Sequence, residues 1–161
     1  MKLKEGDLFK VAANSLQYAV GQIISIPNKE SIAILIFEGL YSIESDIDVV
    51  VVIKKDILFF ANTFDAKFYH KHWIVFANHT TNLTAIRLPV YKLGTENSLY
   101  YEDFYQRQLP QTALNLEQKS NVSYRNYVAP IRIENAIKAF YKFTEWNSDY
   151  DKLLYKNLVK L

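Results

Sequence analysis

The chain has 161 residues, of which half are apolar and 15% are aromatic, and its net charge at pH 7 is +2. This length predicts one domain with a substantial core, and so large an apolar share excludes a disordered chain. Because cysteine is absent, disulfides, thiolate metal sites and thiol catalysis are excluded as well.

The first part of the chain predicts an antiparallel sheet. Three β-forming runs are predicted as strands at residues 7–11, 18–26 and 31–38, and a proline-led turn separates the second run from the third. Gly21 interrupts the second run, and a glycine inside a strand marks a bend or the close approach of another group. The third run is apolar almost throughout, which indicates a central strand covered on both faces.

An alternating acidic segment follows. Glu44, Asp46 and Asp48 are two residues apart, a pattern that suits a strand or a short capped helix, and we predict a strand. The β-branched run that follows at residues 49–53 favours a further strand. On an extended strand these three carboxylates point the same way. Such a row fits a surface that meets a basic partner, and it also fits a charged edge that protects the sheet from aggregation.

Further strands are predicted at residues 57–61 and 73–77, with Trp73 in the core. A long irregular segment then covers approximately residues 97–126. This segment holds a run rich in rings and acids that suits either partner binding or coverage of the core. Its candidate partner-binding residues are Tyr100, Tyr101, Glu102, Asp103 and Tyr105.

The last part of the chain changes to a helical period. Pro130 suits the first position of a helix, and Ile133, Ile137 and Phe140 then fall on one face with Tyr141. A second helix is predicted to begin at Ser148.

These elements predict a β-rich α+β fold. It is a twisted antiparallel sheet or a small SH3-like barrel, with one or two C-terminal helices. We expect a single domain over residues 1–161, with a β-rich part at 1–95, a tyrosine-rich loop region at 96–128 and a helical part at 129–161.

The sequence offers little catalytic chemistry. It contains no nucleophile elbow, Walker loop or dinucleotide-binding fingerprint, so we expect no catalysis and no cofactor. His70, His72 and His79 are close enough in sequence to suggest a zinc site, but their spacing is a weak signal and a surface turn is the simpler interpretation.

Several short motifs, taken together, resemble the immunity protein 26 family of bacterial polymorphic toxin systems. They are Gly6-Asp7-Leu8-Phe9, Tyr18-Ala19-Val20-Gly21-Gln22-Ile23, the run at residues 32–37, Trp73-Ile74-Val75, Leu88-Pro89-Val90-Tyr91, and Val128-Ala129-Pro130 leading into Ile133-Glu134. The resemblance implies a protein that binds and neutralises a cognate toxin without turnover. It supplies no catalytic residues. The absence of cysteine fits a cytoplasmic location, and the acidic row would suit the basic substrate cleft of a nuclease toxin.

Two other functions compete with this interpretation. A small-barrel module for nucleic acid or peptide would use Lys54, Lys55, Lys67, Lys71 and Arg87. The near-neutral charge disfavours nucleic acid. A metal-dependent hydrolase would use the three histidines. Membrane binding is not expected, because there is no signal-like apolar start and the longest apolar runs fall far short of the about 20 residues that span a bilayer.

Overall fold

The computed structural model describes residues 2–29 and 31–161. The fold is α+β and rich in antiparallel sheet, as the sequence predicts. The strands are β1 (Asp7–Ala12), β2 (Gln17–Ser25), β3 (Ser31–Phe37), β4 (Tyr41–Ser42), β5 (Ile57–Phe64), β6 (Ile74–Asn78), β7 (Tyr91–Thr95), β8 (Ser98–Glu102) and β9 (Gln108–Leu109). The α-helices are α1 (Val49–Val52), α2 (Ala66–Tyr69), α3 (Leu116–Asn121) and α4 (Pro130–Phe140), and 3-10 helices lie at Leu83–Ala85, Ser148–Lys152 and Tyr155–Asn157.

The main sheet is open. Its strand order is β5-β3-β2-β1-β6, with β4 paired to the start of β2, while β7, β8 and β9 form a second sheet. Within the described residues β5 and β6 do not pair with each other, so the sheet form applies and the closed-barrel form does not. The outer edge of β5 is covered by the C-terminal part of the chain, through bridges from Phe59 to Leu154 and from Asn62 to Tyr127.

Strand β3 is buried on both faces, which confirms the prediction from its apolar run. Ile34 and Ile36 point into a core that α4 covers, and Leu35 points into a core on the opposite face. The opposite core also contains Val52 of α1 and Tyr91 of β7. The alternation of a strand therefore sends successive β3 side chains into two separate cores.

Gly21 provides room for an aromatic ring. It is the register partner of Phe9 on β1 and of Ile36 on β3. A Cβ atom at Gly21 would overlap Cζ of Phe9 and would lie 2.9 Å from Cδ1 of Ile36. The close approach that the sequence predicts is thus a ring lying across the glycine.

The same ring belongs to an aromatic cluster that holds α4. Phe9 stacks on Trp73 with centroids 5.2 Å apart, and Phe68 meets both rings edge-on. Trp73 is 1% exposed, as expected for a core residue. Its indole Nε1–H donates to Oε1 of Glu134 on α4 at 2.9 Å, and Nζ of Lys67 lies 3.0 Å from the same oxygen. The buried Trp73 ring and the Glu134 carboxylate that accepts its hydrogen bond therefore anchor α4 to the sheet.

The C-terminal part matches the prediction in one helix. Helix α4 begins at Pro130 and buries Ile133 and Ile137, as predicted. From Ser148 the chain forms the two short 3-10 helices instead of a second α-helix, although both help to cover the core. None of the helices in the described part of the chain has the length and apolar character that crossing a membrane requires.

Two element predictions are wrong. Residues 49–53, predicted as a strand, begin with helix α1, which Asp48 caps. Residues 96–128, predicted as a loop region, contain β8, β9 and α3. In both places contacts with distant residues determine the local structure, since Val52 packs in the core and Tyr101 is only 5% exposed.

We predict that Gly21→Ala lowers the free energy of unfolding by about 1–3 kcal/mol, because the new methyl group overlaps the Phe9 ring in a packed core. Urea denaturation measures this loss. Phe9→Leu removes Cζ and with it the overlap. The double variant should therefore lose less stability than the sum of the losses in the two single variants. Strict additivity would contradict the contact.

We also predict that Glu134→Ala destabilises the protein by about 1–3 kcal/mol, because it leaves the buried indole N–H without an acceptor. Glu134→Gln keeps an acceptor oxygen and should lose less. Glu117→Ala, at an exposed position on α3, serves as the control and should stay within about 0.5 kcal/mol of wild type. Equal melting of Glu134→Ala and this control would refute the anchoring role.

Candidate functional site

The acidic segment forms an exposed surface in front of α1. Glu44 lies in a turn in which the Ser45 N–H donates to the Ser42 carbonyl at 3.0 Å. Asp46 follows in an irregular stretch, and Asp48 ends it. All three side chains are exposed. The prediction that they form one extended strand is wrong, yet the chain still presents three carboxylates within five residues.

Asp48 has a structural role besides its charge. Its Oδ1 accepts hydrogen bonds from the backbone N–H groups of Val50 at 2.9 Å and Val51 at 3.4 Å. This cap satisfies N–H groups that the first turn of a helix leaves without partners. It also explains how a run of valines, which favours strand, starts a helix here.

The helix divides its valines between core and surface. Val52 is fully buried, and Val49 packs against the same core. Val50 and Val51 turn outward and are 50% and 51% exposed. Ile43 is 55% exposed, and its N–H donates to the Leu16 carbonyl at 3.0 Å. The nine residues from Ile43 to Val51 thus expose three aliphatic side chains together with three carboxylates.

We name this region the acidic–aliphatic surface. Its residues are Ile43, Glu44, Asp46, Asp48, Val50 and Val51. The sequence identified the acids and missed the aliphatic residues, because a strand would have buried the valines. The overlooked signal is Asp48 directly before the run, since aspartate is a preferred N-cap residue.

The tyrosine-rich run mostly serves the fold. Tyr101 and Glu102, predicted as partner-binding residues, are buried on β8 and offer a partner little surface. Glu102 Oε1 accepts from the Arg125 guanidinium at 3.0 Å. That guanidinium lies 4.0 Å from the centre of the Tyr91 ring, and the Tyr91 hydroxyl accepts from Nδ2 of Asn62 at 2.9 Å. These contacts join the second sheet to β5 of the main sheet.

Two pKa shifts accompany this arrangement. Burial raises the pKa of the Tyr91 phenol, while the Asn62 hydrogen bond and the Arg125 charge act in the opposite direction. Partial burial acts to raise the pKa of Asp103, but hydrogen bonds from the Arg107 backbone and side chain outweigh it and lower that pKa. Asp103 is therefore engaged within its own turn.

Only two residues of the run remain on the surface as the prediction requires. Tyr100 is 40% exposed and Tyr105 is 61% exposed. Tyr105 packs on Phe104 and lies under the Arg107 guanidinium. The run thus offers isolated rings, whereas the acidic–aliphatic surface offers adjacent charges and apolar side chains.

The histidines do not assemble a site. The rings of His70 and His72 are 6.2 Å apart, and Nδ1 of His79 lies 3.2 Å from the Thr81 hydroxyl. Across residues 2–29 and 31–161, no three histidine or carboxylate side chains are grouped so that they could hold a metal ion. In comparisons with protein-family models, curated proteins and solved structures, no match to the chain was found.

We predict that Asp48→Ala destabilises the protein by about 1 kcal/mol through loss of the cap, whereas Asp48→Asn stays near wild type because asparagine caps equally well. Urea denaturation gives both values. Asp46→Ala removes the same charge at a neighbouring exposed residue and is the control. If Asp48→Asn lowers the free energy of unfolding as much as Asp48→Ala does, the effect comes from the charge and not from the cap.

Proposed function

We propose that this protein is an immunity protein, which binds a cognate bacterial toxin in the cytoplasm and neutralises it without catalysis. The observation that carries the proposal is the acidic–aliphatic surface, a stretch of nine residues that exposes three carboxylates and half-exposes Ile43, Val50 and Val51. The resemblance to the immunity protein 26 family supplies the class of partner.

The two kinds of side chain in this surface have separate effects on binding. Burial of Ile43, Val50 and Val51 against a partner removes apolar area from water and stabilises the complex. The carboxylates attract a basic partner from a distance and raise the rate of association. A nuclease toxin has a basic substrate cleft, because it must bind phosphates. Its charge would complement this surface.

The resemblance itself concerns mainly the fold. Leu8, Phe9 and Trp73, which lie in its motifs, are core residues here, and Gly21 makes room for a core ring. Such residues preserve an architecture, and the exposed residues between them select the partner. The acidic–aliphatic surface lies outside those motifs, which is where a toxin-specific surface is expected.

The first test is a pull-down with the product of the gene adjacent to the coding gene, since an immunity gene normally lies beside that of its toxin. We expect a stable complex and loss of toxin activity at a stoichiometric amount of this protein. Retention of toxin activity in the presence of excess protein would refute the proposal.

The second test measures association rates by stopped flow over a salt series. The triple variant Glu44→Gln, Asp46→Asn, Asp48→Asn keeps the α1 cap and should associate about 10-fold or more slowly at low salt, with little remaining salt dependence. The matched control is Glu96→Gln, Glu117→Gln, Glu145→Gln, which removes three exposed charges elsewhere. Equal slowing in both variants would show that association depends on the net charge of the protein and not on this surface.

The aliphatic residues are tested through dissociation. The double variant Val50→Ala, Val51→Ala shortens two exposed side chains to a residue that favours helix, so α1 should remain intact. We expect faster dissociation of the toxin complex, with the association rate little changed. An unchanged dissociation rate would place the apolar contact elsewhere.

A further inference from the structure

Strand β6 leaves one edge of the main sheet open. Within the described residues β1 is the one strand that pairs with β6, so the backbone groups on its other edge have no sheet partner. The strand is apolar up to its last residue, and Ile74 is 58% exposed. A bulge displaces Phe76 from the ladder, so the regular part of the edge is its N-terminal half. Proteins usually protect such edges.

A cavity of about 450 Å³ opens beside that half of the strand. Leu3, Phe68, Trp73, Ile74 and Val75 supply its apolar lining. Tyr69, which is 81% exposed, forms part of its wall. An open edge with an adjoining apolar cavity has the two features that strand addition uses: main-chain hydrogen bonds for affinity and a side-chain cavity for selection.

The charges around this half of the strand are mainly basic. Lys71 lines the cavity. Lys10 on β1 is the register partner of Ile74, and its ammonium lies over the Tyr18 and Phe76 rings. Lys2 and Lys4 flank Leu3 and are exposed, and exposed Glu5 follows them. Asp65 is the one carboxylate among the described lining residues. The chain from residue 66 to residue 95 contains no aspartate or glutamate.

Lys71 occupies a backbone conformation that favours glycine. Its φ angle is +56°, in the left-handed region, where it follows helix α2. A lysine there is strained relative to glycine. Lys142 has the same conformation, with φ +64°, after helix α4. Strained residues beside a cavity are a reason to look for function, and Lys142 lies outside this cavity and provides a comparison.

We propose that β6 binds an extended acidic segment of a partner protein, which adds as a strand along the N-terminal half of β6 and places an apolar side chain in the cavity. The partner segment alternates carboxylates with apolar residues. This site is independent of the toxin-binding proposal, because it uses other residues and selects the opposite charge.

The probe is a fluorescein-labelled synthetic peptide in which glutamate alternates with valine, and its binding is followed by fluorescence anisotropy. We expect a dissociation constant below about 1 mM. The same peptide with lysine for glutamate should bind at least 10-fold more weakly. Hydrogen exchange should show new protection of amides within β6, which electrostatic adhesion alone would not produce.

Two variants, each with a matched control, locate the site. Ile74→Glu removes the exposed apolar residue and repels the acidic peptide, and it should weaken binding at least 10-fold. The control Ile131→Glu makes the same change on the exposed side of α4 and should bind as wild type. Lys71→Gly should melt no lower than wild type while binding the peptide more weakly. Lys142→Gly should also melt no lower, with binding unchanged.

Several outcomes would overturn the proposal. They are equal binding of the lysine peptide, protection confined to amides outside β6, and binding of single-stranded oligothymidine but not of the peptide. If the wild type self-associates and Ile74→Glu abolishes this self-association, the edge binds a second copy of this chain instead. The toxin-binding tests are unaffected by any of these results.

Discussion

Much of this structure depends on the Phe9 ring of β1, because it contacts Gly21, Phe68 and Trp73 from three separate segments of the chain. The ring lies over Gly21 of β2, stacks on Trp73 and contacts Phe68 of α2 in an edge-to-face arrangement. Trp73 in turn donates to Glu134, so the ring also sets where α4 lies. Sheet pairing, the start of β6 and the main covering helix thus depend on one arrangement of rings. Such a packed cluster tolerates little change in volume.

The sheet separates the molecule into regions with different tasks. One face carries α4 and the aromatic cluster, while the other carries α1 and the second sheet, joined through Tyr91 and Arg125. The two proposed binding regions lie at the margins of this core. One is acidic and built on the short helix after β4, and the other is basic and built on the edge strand β6. The proposals thus place binding regions of opposite charge preference on a chain whose net charge is +2.

The sequence predicted elements whose pattern reflects their own burial. Strand β3 and helix α4 are examples. The apolar run of β3 predicts burial on both faces, and the apolar residues at helical spacing in α4 predict the face that packs on the core. Helix α1 and strand β8 were missed because their conformation depends on distant partners. Glu102 is buried through Arg125, which lies 23 residues further on. The acids of the candidate site could be predicted from spacing, but the exposed valines could not, because exposure depends on which side of α1 meets the core.

The position of α4 in the chain has a consequence for synthesis. Residues 7–64 supply β1 to β5, but Ile133, Ile137 and Leu153, which close the core over one face, come near the end. At about 5–20 residues per second, that face stays open on the ribosome for on the order of ten seconds. During this interval the stacked rings of Phe9 and Trp73 lack their cover, and a nascent chain interrupted before Pro130 is a substrate for chaperones and proteases.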